Sequence, residues 1–73
     1  MPIIDVKATG DNIKNFMAEK GISVTEMQEI LGFANGQAIY KWFRGDSLPK
    51  IDNLVILASA LDKTVNDILV IRE

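Results

Sequence analysis

The sequence predicts an all-α protein, a compact bundle of four to five short helices with short extended arms at both ends. Apolar residues recur at spacings of three and four along most of the chain, which is the period of an amphipathic helix. Ser or Thr stands three positions before an acidic residue at two places, and Gly follows two of the apolar runs, as at helix starts and ends. The length of 73 residues allows one domain, spanning residues 1–73.

The first helix is predicted to follow an extended N-terminal arm. Residues 1–8 are apolar and β-prone around Ile3 and Ile4, which favours an extended segment. Thr9 is the predicted cap of a helix that runs to about Lys20 and ends at a glycine.

Both ends of the chain carry short apolar runs, around residues 3–6 and at Val70 and Ile71. Left exposed, such runs would form a sticky edge on a very small protein. We therefore expect both ends to be extended and to pair, either within one subunit or across a two-fold dimer.

Residues 23–44 have the pattern of two short helices joined by a tight turn. Ser23 and Glu26 have the spacing of a capping box, in which each side chain satisfies a free backbone donor of the other residue. Gly32 follows the apolar stripe at once, where a left-handed helix end needs glycine. The second helix is predicted over residues 35–44, and a helix-turn-helix follows from the pair.

The predicted helix over residues 35–44 has two contrasting faces. At about 100° per residue, the packing face and the polar face fall on opposite sides. The polar side combines an amide, a phenol and two cations, groups that hydrogen-bond base edges or phosphates, and a major groove admits one helix. The packing face consists of Ala38, Ile39, Trp42 and Phe43, and the polar face of Gln37, Tyr40, Lys41 and Arg44.

Two more helices complete the predicted bundle. The fourth begins at about Lys50 or Ile51 and ends at Leu61, and lysine is a weaker helix cap than Ser or Thr. The fifth opens with a second capping-box pattern at Thr64 to Asp67.

The runs ISVTEMQEILGF, IYKWFRGDSLP and IDNLVILASAL resemble the phage repressor and Cro type of helix-turn-helix, also called the xenobiotic-response-element family. The resemblance covers about residues 9 to 69. It implies a lambda-repressor-like bundle that binds operator DNA, usually as a dimer. Many members carry a buried Arg–Glu ion pair where this chain has Met17 and Phe43, so we expect an apolar contact between these two side chains instead.

The helix face and the resemblance together predict the residues that contact double-stranded DNA. Some are expected to read bases from the helix near residues 35–44, placed in the major groove. Others are expected to bind phosphates from the neighbouring helix starts and loop. The predicted base-reading residues are Asn35, Gln37, Tyr40, Lys41 and Arg44, and the predicted phosphate-binding residues are Ser23, Thr25, Gly36, Ser47 and Lys50.

Composition narrows the chemistry. The chain has no Cys and no His, which removes the usual zinc sites and thiol, triad or imidazole catalysis. We therefore expect no catalytic residue, no metal and no cofactor, and hence no enzyme. The absence of cysteines fits a reducing cytoplasm, where we expect the protein to be. No stretch is long enough to span a membrane, and no signal peptide is present. The net charge of −2 is unusual for DNA binding, but cations cluster within residues 41–50.

Two functional classes remain open. The first is a small transcriptional regulator that binds DNA sequence-specifically, in the manner of a repressor, as a homodimer. The second is a protein-interaction module, such as an antitoxin-like partner subunit, that keeps the fold without strong DNA binding and engages a protein partner. The polar face of residues 37–44 favours the first class, and the acidic net charge favours the second.

Overall fold

The structure is a computed structural model that describes all 73 residues. It confirms the predicted helical bundle and adds a two-stranded sheet where the chain ends meet. The elements in chain order are β1 (Ile3–Ile4), α1 (Val6–Lys20), α2 (Val24–Leu31), α3 (Gln37–Arg44), α4 (Ile51–Leu61), α5 (Val65–Ile68) and β2 (Ile71–Arg72). No helix is both long and apolar enough to cross a membrane.

All five helices contribute to one hydrophobic core. Burial of these side chains away from water is the main favourable contribution to folding. The core makes α3 a fixed platform, since two of its large side chains are held inside. The buried apolar cluster consists of Ile13, Met17, Met27, Ile39, Trp42, Leu54, Leu57, Ala58, Leu61 and Ile68.

The prediction that Thr9 caps the first helix was wrong, and so was an arm extended over all of residues 1–8. Helix α1 starts at Val6, and Asp5 is its cap: the Asp5 carboxylate accepts a hydrogen bond of 2.9 Å from the Ala8 N–H. A cap at Asp5 overrides the β preference of the residues beside it, because it satisfies an otherwise free helix donor. Thr9 lies one turn into the helix and is fully buried.

The two chain ends pair within one subunit, which confirms the intrachain form of the predicted pairing. Strands β1 and β2 are antiparallel, with Ile3 opposite Arg72 and Ile4 opposite Ile71. The buried Thr9 hydroxyl accepts a hydrogen bond of 3.0 Å from the Val70 N–H. Thr9 therefore fastens the C-terminal segment to α1 rather than starting the helix.

The helix-turn-helix has the predicted caps. The Ser23 hydroxyl accepts from the Glu26 N–H at 3.1 Å, and the Glu26 carboxylate accepts from the Ser23 N–H at 3.0 Å. Gly32 ends α2 at φ 74°, a left-handed conformation that residues with a side chain rarely adopt. Helix α3 begins at Gln37, two residues later than predicted, with Gly36 as its cap residue.

The later helix starts also match expectation. Lys50 precedes α4 without any side-chain capping hydrogen bond, as its residue type predicts. Thr64 and Asp67 form the second capping box at the start of α5.

Helices α1 and α3 touch backbone to backbone at Gly10. A Cβ atom added at Gly10 would lie 1.8 Å from the Trp42 carbonyl oxygen, far inside any normal contact. Only glycine lets the two helices approach this closely. This contact sets the position of α3 relative to α1 and so determines which α1 side chains lie beside α3.

Met17 is buried, and Phe43 is half-buried and packs against the core cluster that contains Met17. Both side chains therefore make apolar packing contacts with the core. The direct contact between the two side chains stays a prediction.

Candidate nucleic-acid interface

Helix α3 presents a polar face to solvent. Gln37, Lys41 and Arg44 are exposed, and Tyr40 is 50% exposed. Ile39 and Trp42, on the other side of the helix, are buried. The buried side therefore anchors α3 in the core while the polar side stays exposed to solvent, as a helix that enters a groove requires.

The start of α3 is organised by the side chain of Asn35. Its Oδ1 atom accepts a hydrogen bond of 3.0 Å from the Gln37 N–H. This bond occupies the acceptor of Asn35, while its amide N–H groups stay free to donate. The Gly36 N–H makes no hydrogen bond within the chain, which leaves a donor at the helix N-terminus, where the helix dipole favours an anion.

Tyr40 is fixed against the start of α3. Its ring meets Phe43 edge-on, with centroids 6.0 Å apart and planes at 88°. A Cβ atom added at Gly36 would lie 3.4 Å from the Tyr40 ring and 3.0 Å from a Val24 methyl group. The small residue at position 36 therefore leaves room for the phenol beside the helix N-terminus.

An open concave surface of about 540 Å³ runs along one side of α3. It joins the helix to the loop before α4 and to the first turn of α4. Five of the residues predicted to contact DNA line it together, namely Asn35, Gln37, Lys41, Ser47 and Lys50. The structure thus brings predicted base-reading and phosphate-binding residues onto one surface.

The other side of α3 carries two cations that the sequence analysis missed. A second concave surface, of about 780 Å³, is lined by Lys7 and Lys14 of α1 together with Tyr40 and Arg44. The Lys14 ammonium lies 5.8 Å from the centre of the Phe43 ring, in cation–π range. The seven-residue spacing of Lys7 and Lys14 marks one face of α1, but only the close approach at Gly10 shows that this face lies beside α3.

Ser23 and Thr25, at the start of α2, are exposed but line neither concave surface. The Ser23 oxygen already serves the capping box. Hydrogen bonds from the Ser23 backbone N–H and, secondarily, its side chain lower the pKa of the Glu26 carboxyl below its ordinary value. The resulting negative charge lies beside two residues predicted to bind phosphates.

The cations divide into two groups by their ion pairs. Away from α3, each cation has a carboxylate partner: Lys20 with Asp62 at 3.7 Å, Lys63 with Glu19 at 4.0 Å, and Arg72 with Asp5 at 3.4 Å. Beside α3, Lys14, Lys41 and Lys50 have none, while Lys7 pairs with Asp11 and Arg44 with Asp46. All three unpaired lysines therefore lie on or beside α3.

The pair of Arg44 with Asp46 is exposed on both sides, with a 2.9 Å separation. Exposed ion pairs contribute little to stability, typically about 0–1 kcal/mol, so the guanidinium can exchange partners cheaply. Arg44 is therefore available to a phosphate or a base edge.

The two short helices, the glycine turn and the exposed polar face of α3 define a helix-turn-helix domain. A family model described as helix-turn-helix matches residues 13–68, which is most of the chain. The chain belongs to this family, in its Cro/C1-type form. It is a DNA-binding regulator, and its family and fold are those of regulators rather than of enzymes.

Solved structures with the same fold include other regulators. The restriction-modification controller protein C.AhdI from Aeromonas hydrophila superposes with a TM-score of 0.77 and 22% identity, over 88% of this chain and 96% of that one. The clp gene regulator ClgR from C. glutamicum gives 0.73 and 24% identity, over 85% and 79%. The DNA-binding domain of BldD gives 0.73 and 19% identity, over 90% and 94%. A search of curated proteins finds no significant match.

Proposed function

We propose that the protein is a homodimeric repressor that recognises a specific operator sequence by placing α3 in the major groove of double-stranded DNA. The observation that carries this proposal is the distribution of cations. The three lysines without a carboxylate partner all lie on the two concave surfaces that flank α3. A groove-reading helix needs such charges, because the two phosphate backbones border the groove on either side.

Base reading falls to the exposed face of α3. Gln37 stands in the first turn and Lys41 lies one turn further along the same side, so the pair can reach neighbouring base steps. A glutamine amide suits the donor and acceptor pair of adenine, and a lysine suits the acceptors of guanine. Tyr40, Arg44 and the free amide donors of Asn35 complete the proposed base-reading set.

Phosphate binding is shared between the two flanks of α3. Ser47 and Lys50 serve the flank formed by the loop before α4. Lys14 of α1, with Lys7, serves the opposite flank. Ser23, Thr25 and the free N–H of Gly36 supply contacts at the helix starts, where backbone donors favour an anion.

The dimensions of one subunit support the proposed homodimer. Two recognition helices read successive major-groove faces when their centres are about 34–36 Å apart. One subunit measures 36 × 23 × 20 Å, so two subunits side by side span such a distance. The proposed operator is therefore a palindrome of two half-sites.

Selection of bound sequences from a random duplex pool tests the proposal. We expect enrichment of one palindromic sequence whose half-sites are separated by about one helical turn. Recovery of unselected DNA would contradict sequence-specific binding and would favour the protein-interaction module instead.

Matched variants then test the assignment of residues. Replacing Gln37 by Ala is expected to cost roughly 1–3 kcal/mol on the selected site and to relax the preference at one base step. Lys41→Ala and Lys14→Ala are compared with Lys20→Ala, which makes the same charge change at a cation paired with Asp62 away from α3. Equal losses of affinity in all three lysine variants would show that only net charge matters.

A further inference from the structure

Helix α4 carries an apolar surface that nothing in the chain covers. Ile51 is 72% exposed, Val55 57% and Ile56 37%, and Ile30 of the neighbouring α2 is 47% exposed. An open concavity of about 550 Å³ is lined by Ile30, Val55 and Ile56 together with Ser59 and Ala60. No charged side chain lines this concavity, and no other part of residues 1–73 lies over it. The exposed carboxylate of Asp52 lies on the same face of α4, toward the Ile51 end and outside the lining.

We propose that this α2–α4 surface, formed by Ile30, Ile51, Val55, Ile56, Ser59 and Ala60, binds the same surface of a second copy of the chain. The inference deepens the proposed function, since it locates the interface of the proposed homodimer.

Charge favours a second copy as the occupant. Two identical surfaces can pack only if they do not repel each other, and a closed two-fold dimer uses the same patch on both subunits. The α3 side carries unpaired cations and cannot meet itself without repulsion. The lining of the α2–α4 concavity is apolar apart from the Ser59 hydroxyl, so two copies that meet over it bring no like charges from this lining into contact. Asp52 lies outside the lining, at the Ile51 end of the surface.

The area suits a weak dimer. The four large apolar side chains expose on the order of 400 Å² together, which is as large as the largest apolar patch on a typical monomer. Two facing copies with their surrounding residues then bury roughly 1,000 Å², near the lower limit of specific interfaces. We therefore expect dissociation in the micromolar range, with binding to two half-sites adding further stability.

The position of α4 links this surface to the DNA-facing side. Lys50 and Asn53, at the start of α4, line the concave surface beside α3. Ile51 lies at this N-terminal end of α4, and Val55 lies one turn further along the helix. We therefore expect two copies that pack α4 against α4, about a two-fold axis perpendicular to the DNA, to turn both α3 helices toward the same duplex.

Sedimentation equilibrium on the full chain without DNA tests the interface. Over roughly 1–500 μM, we expect the wild type to form a dimer and Val55→Glu to weaken it at least about tenfold, because a charge is placed in an apolar contact. Ile71→Glu is the matched control, an apolar residue of similar exposure, 59%, on the terminal sheet. A wild type that stays monomeric throughout, or a dimer lost with Ile71→Glu and kept with Val55→Glu, would overturn the proposal.

A cross-linking experiment avoids any dependence on the folding of the Glu variant. The chain has no cysteine, so single substitutions introduce a unique thiol. Oxidised Val55→Cys or Ser59→Cys is expected to form disulfide-linked dimers much faster than Ile71→Cys. Equal rates for all three would count against the α2–α4 interface.

The failure of this inference is distinguishable from failure of the proposed function. Val55→Glu is expected to bind an isolated half-site like the wild type while losing cooperative binding to two half-sites. A Val55→Glu protein that keeps this cooperativity would refute the interface alone. A dimer that is disrupted by Val55→Glu but selects no DNA sequence would refute the proposed function and leave the interface in place.

Discussion

Replacing Gly10 by Ala tests how the bundle positions α3. The added Cβ atom would lie 1.8 Å from the Trp42 carbonyl oxygen, whereas ordinary contacts begin near 3.4 Å. The obstacle is the backbone of α3 rather than the end of a flexible side chain. Helices α1 and α3 must therefore separate, and the packing between them must loosen over several turns.

The magnitude follows from two opposing effects. Overpacking a core contact typically costs about 1–3 kcal/mol, and a backbone obstacle places this substitution near 3 kcal/mol. Alanine favours a helix interior over glycine by about 1 kcal/mol, which offsets part of that cost. The expected net loss is about 2 kcal/mol, out of a total stability of roughly 4–11 kcal/mol for a domain of this length.

Urea unfolding followed by tryptophan fluorescence measures this loss, because the only tryptophan, Trp42, lies at the contact. Ala18→Gly, at an exposed position of the same helix, isolates the helix-propensity effect and should cost about 0.5–1 kcal/mol. A Gly10→Ala protein as stable as the wild type, or more stable, would refute the close contact between α1 and α3.

Three further predictions concern caps and buried groups. Hydrogen bonds from Ser23 and Thr64 lower the pKa values of the Glu26 and Asp67 carboxyls, so these groups stabilise the fold above the ordinary carboxyl pKa and lose this effect as pH falls through the lowered values. The double variant Glu26→Gln, Asp67→Asn should therefore show a weaker decrease in the free energy of unfolding between about pH 7 and pH 2. Thr9→Val should cost about 1–2 kcal/mol in urea unfolding, because it removes the acceptor of a backbone N–H, and Thr9→Ser should recover part of the loss. Met17→Arg should cost at least about 3 kcal/mol by leaving a buried charge unpaired, whereas Met17→Leu should stay within about 1.5 kcal/mol; an Arg variant of wild-type stability would contradict the apolar environment.

The helices were predictable because their ends carry local signals. The capping boxes at Ser23 and Thr64, and the glycine at position 32, act within four residues, so the sequence contains the whole interaction. The start of α1 was not predicted, because its cap, Asp5, stands between the β-prone residues Ile4 and Val6, which favour an extended segment. The sequence did not decide whether the two ends pair within one chain or between two chains, because such pairing depends on where the helical bundle places the ends.

Only part of the candidate interface could be predicted from the sequence. The α3 face follows from the helical period, and the structure places Gln37, Lys41 and Lys50 on one concave surface. Lys7 and Lys14 were missed, because their position beside α3 results from a helix crossing. That crossing depends on a glycine whose role is a close backbone approach, and no local pattern distinguishes such a glycine from one that merely weakens a helix.

The net charge of −2 is compatible with a DNA-binding surface because the charges are distributed unevenly. Carboxylates pair with Lys20, Lys63 and Arg72, so the unpaired lysines leave a local positive surface around α3. Each phosphate contact contributes about 0.9 to the salt dependence of duplex binding. With Lys14, Lys41, Lys50 and Arg44 as the candidates, we expect a slope of roughly −2 to −4 per subunit, depending on how many of them engage phosphates rather than base edges. Because the rest of the protein repels the duplex, non-specific binding should be weak, and discrimination should depend mainly on base contacts from the exposed face of α3.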